Sequence, residues 1–99
     1  MNAPLKVIVL DILKPHNPTI LDLGKAICGH ATVTSANISV YAIDEKTESV
    51  KVILEGKDIK YDEVKEIVEN FGAAVHSIDK AVIGKKEVID VPEGASDRM

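Results

Sequence analysis

Between Leu5 and Leu13 the chain is apolar at both parities: Leu5, Val7, Val9 and Leu13 share one side, and Ile8, Leu10 and Ile12 the other. Successive strand side chains face opposite sides of a sheet, so the pattern predicts a central strand covered on both faces. Pro15 is expected to end it. Asn17 then reads as a helix N-cap and Pro18 as the first helical residue, where a missing N–H costs nothing. Ile20, Leu23 and Ile27 keep helical spacing after it, and Gly29 in "CGH" reads as the stop.

From Ala36 to Ile43 the pattern alternates, with Ile38, Val40 and Ala42 as the buried face and Asn37, Ser39 and Tyr41 as the polar one. The polar stretch Asp44 to Ser49 leads into Val50, Val52 and Leu54, alternating with Lys51, Ile53 and Glu55, so the pair reads as a β-hairpin. A second helix carries Val64, Ile67, Val68 and Phe71 on one stripe, with a charged solvent side and Gly72 as its stop. A last strand runs from Ala74 to Ile83 and ends at Gly84. Lys85 to Val91 reads as a short edge segment, and residues 92–99 as a flexible C-terminal tail.

The order β-α-β-β-α-β predicts an α+β, ferredoxin-like two-layer sandwich over residues 1–91, with antiparallel sheet order 4-1-3-2 and both helices on one face. That order puts the first strand in the centre, as its two-sided pattern demands. The other face of the sheet is left open, yet the first strand is apolar at both parities, and Ile53, pointing away from Val52 and Leu54, adds to the same patch. Monomers rarely expose contiguous apolar patches beyond a few hundred Å². The expected cover is a second copy of the chain, giving a homo-oligomer through the open sheet face. The alternative cover is Val88, Ile89 and Val91 folding back.

The chain has 99 residues, enough for one small core, and its 45% hydrophobic and 28% charged residues describe a globular protein. A net charge of -4 supplies no field to draw nucleic acid or anionic lipid, and Tyr41, Tyr61 and Phe71 are the only aromatics for stacking bases. Neither nucleic acid nor a membrane is expected as a partner, and the apolar N-terminal run is too short to span a bilayer. A cytoplasmic location fits the single cysteine, which allows no internal disulfide and no multi-thiolate zinc site. Cys28, at the end of the first apolar stripe, is expected to be buried and inert. The sole arginine, Arg98, is far from any phosphate-cradling loop.

The remaining chemistry lies in Asp11, His16, His76 and Asp79 and in the acidic hairpin residues Asp44, Glu45 and Glu48. Neighbouring first and last strands would bring Asp11 to the "HSID" stretch, His76 to Asp79. A carboxylate on a two-sided strand needs a partner, and Lys14, Lys80, His76 or a cation are the candidates. His16 reads as a turn residue with its ring in water. His76 reads as a strand histidine bonded to Asp11 or Asp79. Asp11, His76 and Asp79 are the candidate metal ligands, carboxylates favouring Ca²⁺ or Mg²⁺ and histidine favouring Zn²⁺.

The combination of "LDILKPH" (Leu10 to His16), "ANISVYAIDEKTESVKV" (Ala36 to Val52), "EGKDI" (Glu55 to Ile59) and "HSID" with "AVIGK" (His76 to Lys85) resembles the archaeal family called domain of unknown function 211. The resemblance spans roughly Leu5 to Val91. It implies a ferredoxin-like sandwich that forms homo-oligomers without an established activity, and it maps motif positions onto Asp11, Lys14, Pro15, His16, Asn37, Asp44, Glu48, His76 and Asp79. The connection Cys28 to Ala36, "CGHATVTSA", departs from the family's acidic pattern.

The expectation is therefore a self-assembling cytosolic domain without catalysis, binding a small ligand or divalent cation near subunit interfaces. Asp11, Lys14, His16, Asn37, His76 and Asp79 are the ligand or interface candidates. The alternative is a metal-dependent enzyme using Asp11, His16, His76 and Asp79.

Overall fold

The computed structural model describes residues 3–30 and 32–85. In chain order the elements are β1 (Leu5–Pro15), α1 (Ile20–Cys28), β2 (Ser35–Ile43), β3 (Thr47–Glu55), α2 (Tyr61–Asn70) and β4 (Ala74–Ile83). The strands form one sheet in the order β2-β3-β1-β4, with every neighbouring pair antiparallel. Read from the other edge, this is the expected 4-1-3-2, and the architecture is ferredoxin-like.

Period-2 alternation sends Ile8, Leu10 and Ile12 of β1 and Val50, Val52 and Leu54 of β3 to one face of the sheet. There they meet Leu23 and Ile27 of α1 and Val64 and Val68 of α2, all almost wholly shielded from water. Each such side chain contributes about 1.5–3 kcal/mol on burial, so this layer is the main source of cohesion. Gly56, just after β3, donates its N–H to the Lys6 carbonyl at 2.9 Å. A Cβ there would run into the Thr32 carbonyl oxygen, so only glycine fits. Gly72 closes α2 with φ +77, a conformation that favours glycine.

Three local expectations need correction. Helix α1 begins at Ile20, not Pro18, and its N-cap is Thr19, whose hydroxyl accepts from the Asp22 N–H at 3.4 Å while the Asp22 carboxylate accepts from the Thr19 N–H. This reciprocal box satisfies two otherwise orphaned donors, which Asn17 at its position does not do. Cys28 is exposed rather than buried, because Leu23 and Ile27 form the inward stripe and Cys28 lies about 100° around the helix from Ile27. Val40 and Ala42 are exposed too, since β2 is an edge strand and its alternation breaks after Val40.

Candidate functional site on the open sheet face

On the face away from the helices, β1 presents Val7, Val9, Asp11 and Leu13, and β3 presents Ser49, Lys51 and Ile53. The register sets Asp11 between Lys51 of β3 and Ser77 of β4. Irregularities in both edge strands then add side chains to this neighbourhood. In β2, Val40 pairs with Val50 but Ala42 pairs with Ser49, so Tyr41 is an extra residue. In β4, the step from Lys80 to Ile78 leaves Asp79 extra, and the step from Ser77 to Val75 leaves His76 extra. A bulge of this kind re-aims a side chain that strict alternation would turn elsewhere.

The result is an ordered polar network in the middle of the face. The Tyr41 hydroxyl lies 2.7 and 2.6 Å from the two Asp11 carboxylate oxygens and donates its proton between them. Lys51 Nζ donates to Asp79 Oδ2 at 2.6 Å, and Ser77 Oγ donates to Asp79 Oδ1 at 2.7 Å. Lys51 Nζ also stands 6.0 Å from the centroid of the Tyr41 ring, which links the two halves. The hydrogen bond to Asp11 and desolvation raise the Tyr41 phenol above its ordinary 10.0. Asp79 raises the Lys51 ammonium, while Lys51 and then Ser77 hold the Asp79 carboxyl below its ordinary range.

Two shallow concavities flank this network. A smaller one of about 240 Å³ is lined by Asp11, Leu13, Tyr41, Ser49 and His76. A wider one of about 590 Å³ has Val7, Val9, Ile53 and Val82 among its walls. Apolar side chains thus frame the polar centre, with Leu13 still 44% and Ile53 37% exposed.

A second network explains the "LKPH" stretch. Lys14 points to the helix side of β1, is 3% exposed, and donates to the Pro15 carbonyl at 2.7 Å and to Glu48 Oε1 at 3.1 Å. His16 Nδ1 lies 3.1 Å from Glu48 Oε2, and Nε2 lies 2.9 and 3.0 Å from the Asp44 and Glu45 carbonyls. Every one of these partners is an acceptor, so the ring is best satisfied when both nitrogens carry protons and donate. Glu48 first, and then the backbone, raises His16 above its ordinary 6.5. His16 and Lys14 in turn lower Glu48. The histidine expected to sit in water instead clasps the β2–β3 turn to the end of β1.

Asp11 does lie beside the "HSID" strand, as expected. Its hydrogen-bond donor, however, is Tyr41, two strands away, and Lys14 is on the opposite face, occupied by Glu48. Asn37 is exposed on β2 opposite Ile53 and joins neither network. His76 is exposed beside Leu13 at the smaller concavity. Among the described residues, no three His, Cys, Asp or Glu side chains converge on a metal-sized site. A cation at Asp79 would compete with the Lys51 ammonium, and one at Asp11 with the Tyr41 hydroxyl. The Lys51–Asp79 pairing has no signature in the alternation, because Asp79 reaches this face through a bulge, whereas Tyr41 keeps the parity of Asn37 and Ser39. The visible signal was a tyrosine on the polar parity of an edge strand.

The pattern of the DUF211 family, described as uncharacterised ArCR, matches residues 6–98. An uncharacterised protein of Methanocaldococcus jannaschii is 46% identical over 87 residues, which cover 88% of this chain and 90% of that one. Among the described residues, no helix is long and apolar enough to cross a membrane.

Proposed function

This chain belongs to the DUF211 family, and from that premise we propose that it is a non-enzymatic cytoplasmic domain that self-assembles through its open sheet face. The observation that carries the reading is an apolar frame, with Leu13 and Ile53 still exposed, around a network of opposite charges already ordered before any partner arrives. A pre-paired polar centre inside an apolar rim suits a specific contact, because the charges fix orientation while the aliphatic groups supply the affinity. A second copy related by a two-fold axis passing beside Asp11 and Asp79 would bring those carboxylates near their own counterparts. A small ligand or divalent cation held at that boundary would draw oxygen donors from both copies.

Sedimentation equilibrium and native mass spectrometry, with and without a chelator, test this together. The expected result is a closed oligomer, with metal or ligand bound in whole-number ratio to subunits if the boundary holds one. A monomer at every concentration would overturn the reading. Turnover that requires a metal held by His16 and His76 and is lost in His76→Ala would overturn its non-enzymatic part.

A further inference from the structure

We propose that the wider concavity of the open face is the seat of this chain's own segment Glu87 to Val91, docked within the same molecule. The floor of that concavity is apolar, formed by Val7, Val9, Ile53 and Val82, and its edge carries Lys6, Lys57 and Lys80 with Glu55 the one acid. The segment has matching chemistry. Val88, Ile89 and Val91 are aliphatic, and from Glu87 to Glu93 there are three carboxylates and no cation. Aliphatic residues would meet the floor and carboxylates the lysine edge.

The path of the chain favours the same molecule over a neighbour. After β4, Gly84 turns the backbone with φ +125 and donates its N–H to the Pro4 carbonyl at 2.9 Å. Lys6 Nζ then donates to the Lys85 carbonyl at 2.9 Å. The next residues are therefore delivered at a lysine that belongs to the concavity. An extended chain covers about 3.3–3.6 Å per residue, so Val88 reaches about 10 Å from Lys85, or two strand spacings of about 4.8 Å. That distance carries it from β4 across β1 to β3. A tethered segment this close has an effective concentration in the millimolar range, which a neighbour's tail does not match in dilute solution. The inference goes beyond self-assembly, and leaves the Asp11, Leu13 and Tyr41 end of the face for a second copy.

Disulfide trapping in the full-length chain tests it. In a Cys28→Ser background, Val9→Cys is combined with Val88→Cys, and Lys57→Cys with Asp90→Cys as an exposed-edge pair that leaves the aliphatic contacts in place. Leu21→Cys with Val88→Cys is the control, since Leu21 is 70% exposed on α1. Mild oxidation should close a bond within one chain for both test pairs, at least tenfold faster than for the control. Covalent dimers as the main product would show that a second copy's tail is the occupant and overturn the proposal. Rates equal to the control for the exposed-edge pair would overturn it as well.

Discussion

Leu13→Ala is the most direct probe of the open face as an assembly surface. Leu13 is 44% exposed on β1, where it pairs with Ser49 and Ala74 rather than joining the buried core. Full burial of a leucine contributes about 1.5–3 kcal/mol, so covering its remaining exposure in an interface contributes roughly 0.7–1.3 kcal/mol per copy. A two-fold contact uses the residue twice, for roughly 1.3–2.6 kcal/mol in all. At about 1.4 kcal/mol per tenfold, alanine should weaken dimerisation by about 10- to 80-fold. Sedimentation equilibrium over a dilution series reads the dissociation constant, and thermal unfolding of the dilute protein reads the monomer. The expected pattern is a large change in association with little change in Tm. An unchanged dissociation constant, with a sharp loss of Tm, would show that Leu13 serves the fold and would refute the assignment.

Three further outcomes follow from local geometry. Gly56→Ala forces a Cβ against the Thr32 carbonyl oxygen and to 2.9 Å from Ile59 Cγ1. Overpacking of this kind costs about 1–3 kcal/mol, which thermal circular dichroism should record as a Tm lowered by about 4–8 °C per kcal/mol; an unchanged Tm would mean the turn yields freely. The His16–Glu48 clasp should make stability depend on pH at both ends. His16 is raised above 6.5, so its contribution is complete below that value and is lost as pH rises through its folded pKa. Glu48 is lowered below 4.5, so its contribution is complete above that value and is lost as pH falls through its folded pKa. The gap in Tm between the native chain and His16→Ala should thus be widest between about 4.5 and 6.5, and a gap independent of pH would contradict the clasp. Finally, in a Tyr61→Phe background, absorbance titration of the Tyr41 phenolate should have its midpoint above 10.0 and move down toward it on Asp11→Asn; no movement would exclude the Asp11 hydrogen bond.

The fold was legible because its strongest signals are periodic. The two-sided run of β1 forced it to the centre, and the stripes Leu23 with Ile27 and Val64 with Val68 located the helices independently. The networks were less legible, because alternation assumes an unbroken register. Two inserted residues in β4 re-aim His76 and Asp79, so the partner of Lys51 cannot be read by counting parity, and Tyr41, although it keeps the parity of Asn37 and Ser39, lies two strands from Asp11. His16 was misplaced for a different reason. Its acceptors are the Asp44 and Glu45 carbonyls of the β2–β3 turn and the Glu48 carboxylate at the start of β3, and contacts so distant along the chain have no local sequence signature. The N-cap at Thr19 was in principle readable, since Thr19 and Asp22 have the spacing of a capping box with aspartate as the acid, but Asn17 followed by Pro18 offered a competing start.

The bulges have a consequence beyond the residues they re-aim. Of the four register breaks, three interrupt an outermost strand, one in β2 and two in β4, and the fourth inserts Lys6 near the start of β1, while β1 and β3 pair with each other without a break. An outermost strand with an insertion offers its free N–H and C=O groups at uneven spacing, so a straight strand from another molecule cannot zip along its whole length. Among the described residues, such spacing disfavours lateral growth into a continuous ribbon along β2 and β4. The fold can tolerate an apolar surface on its flat side because its rims resist fibre formation.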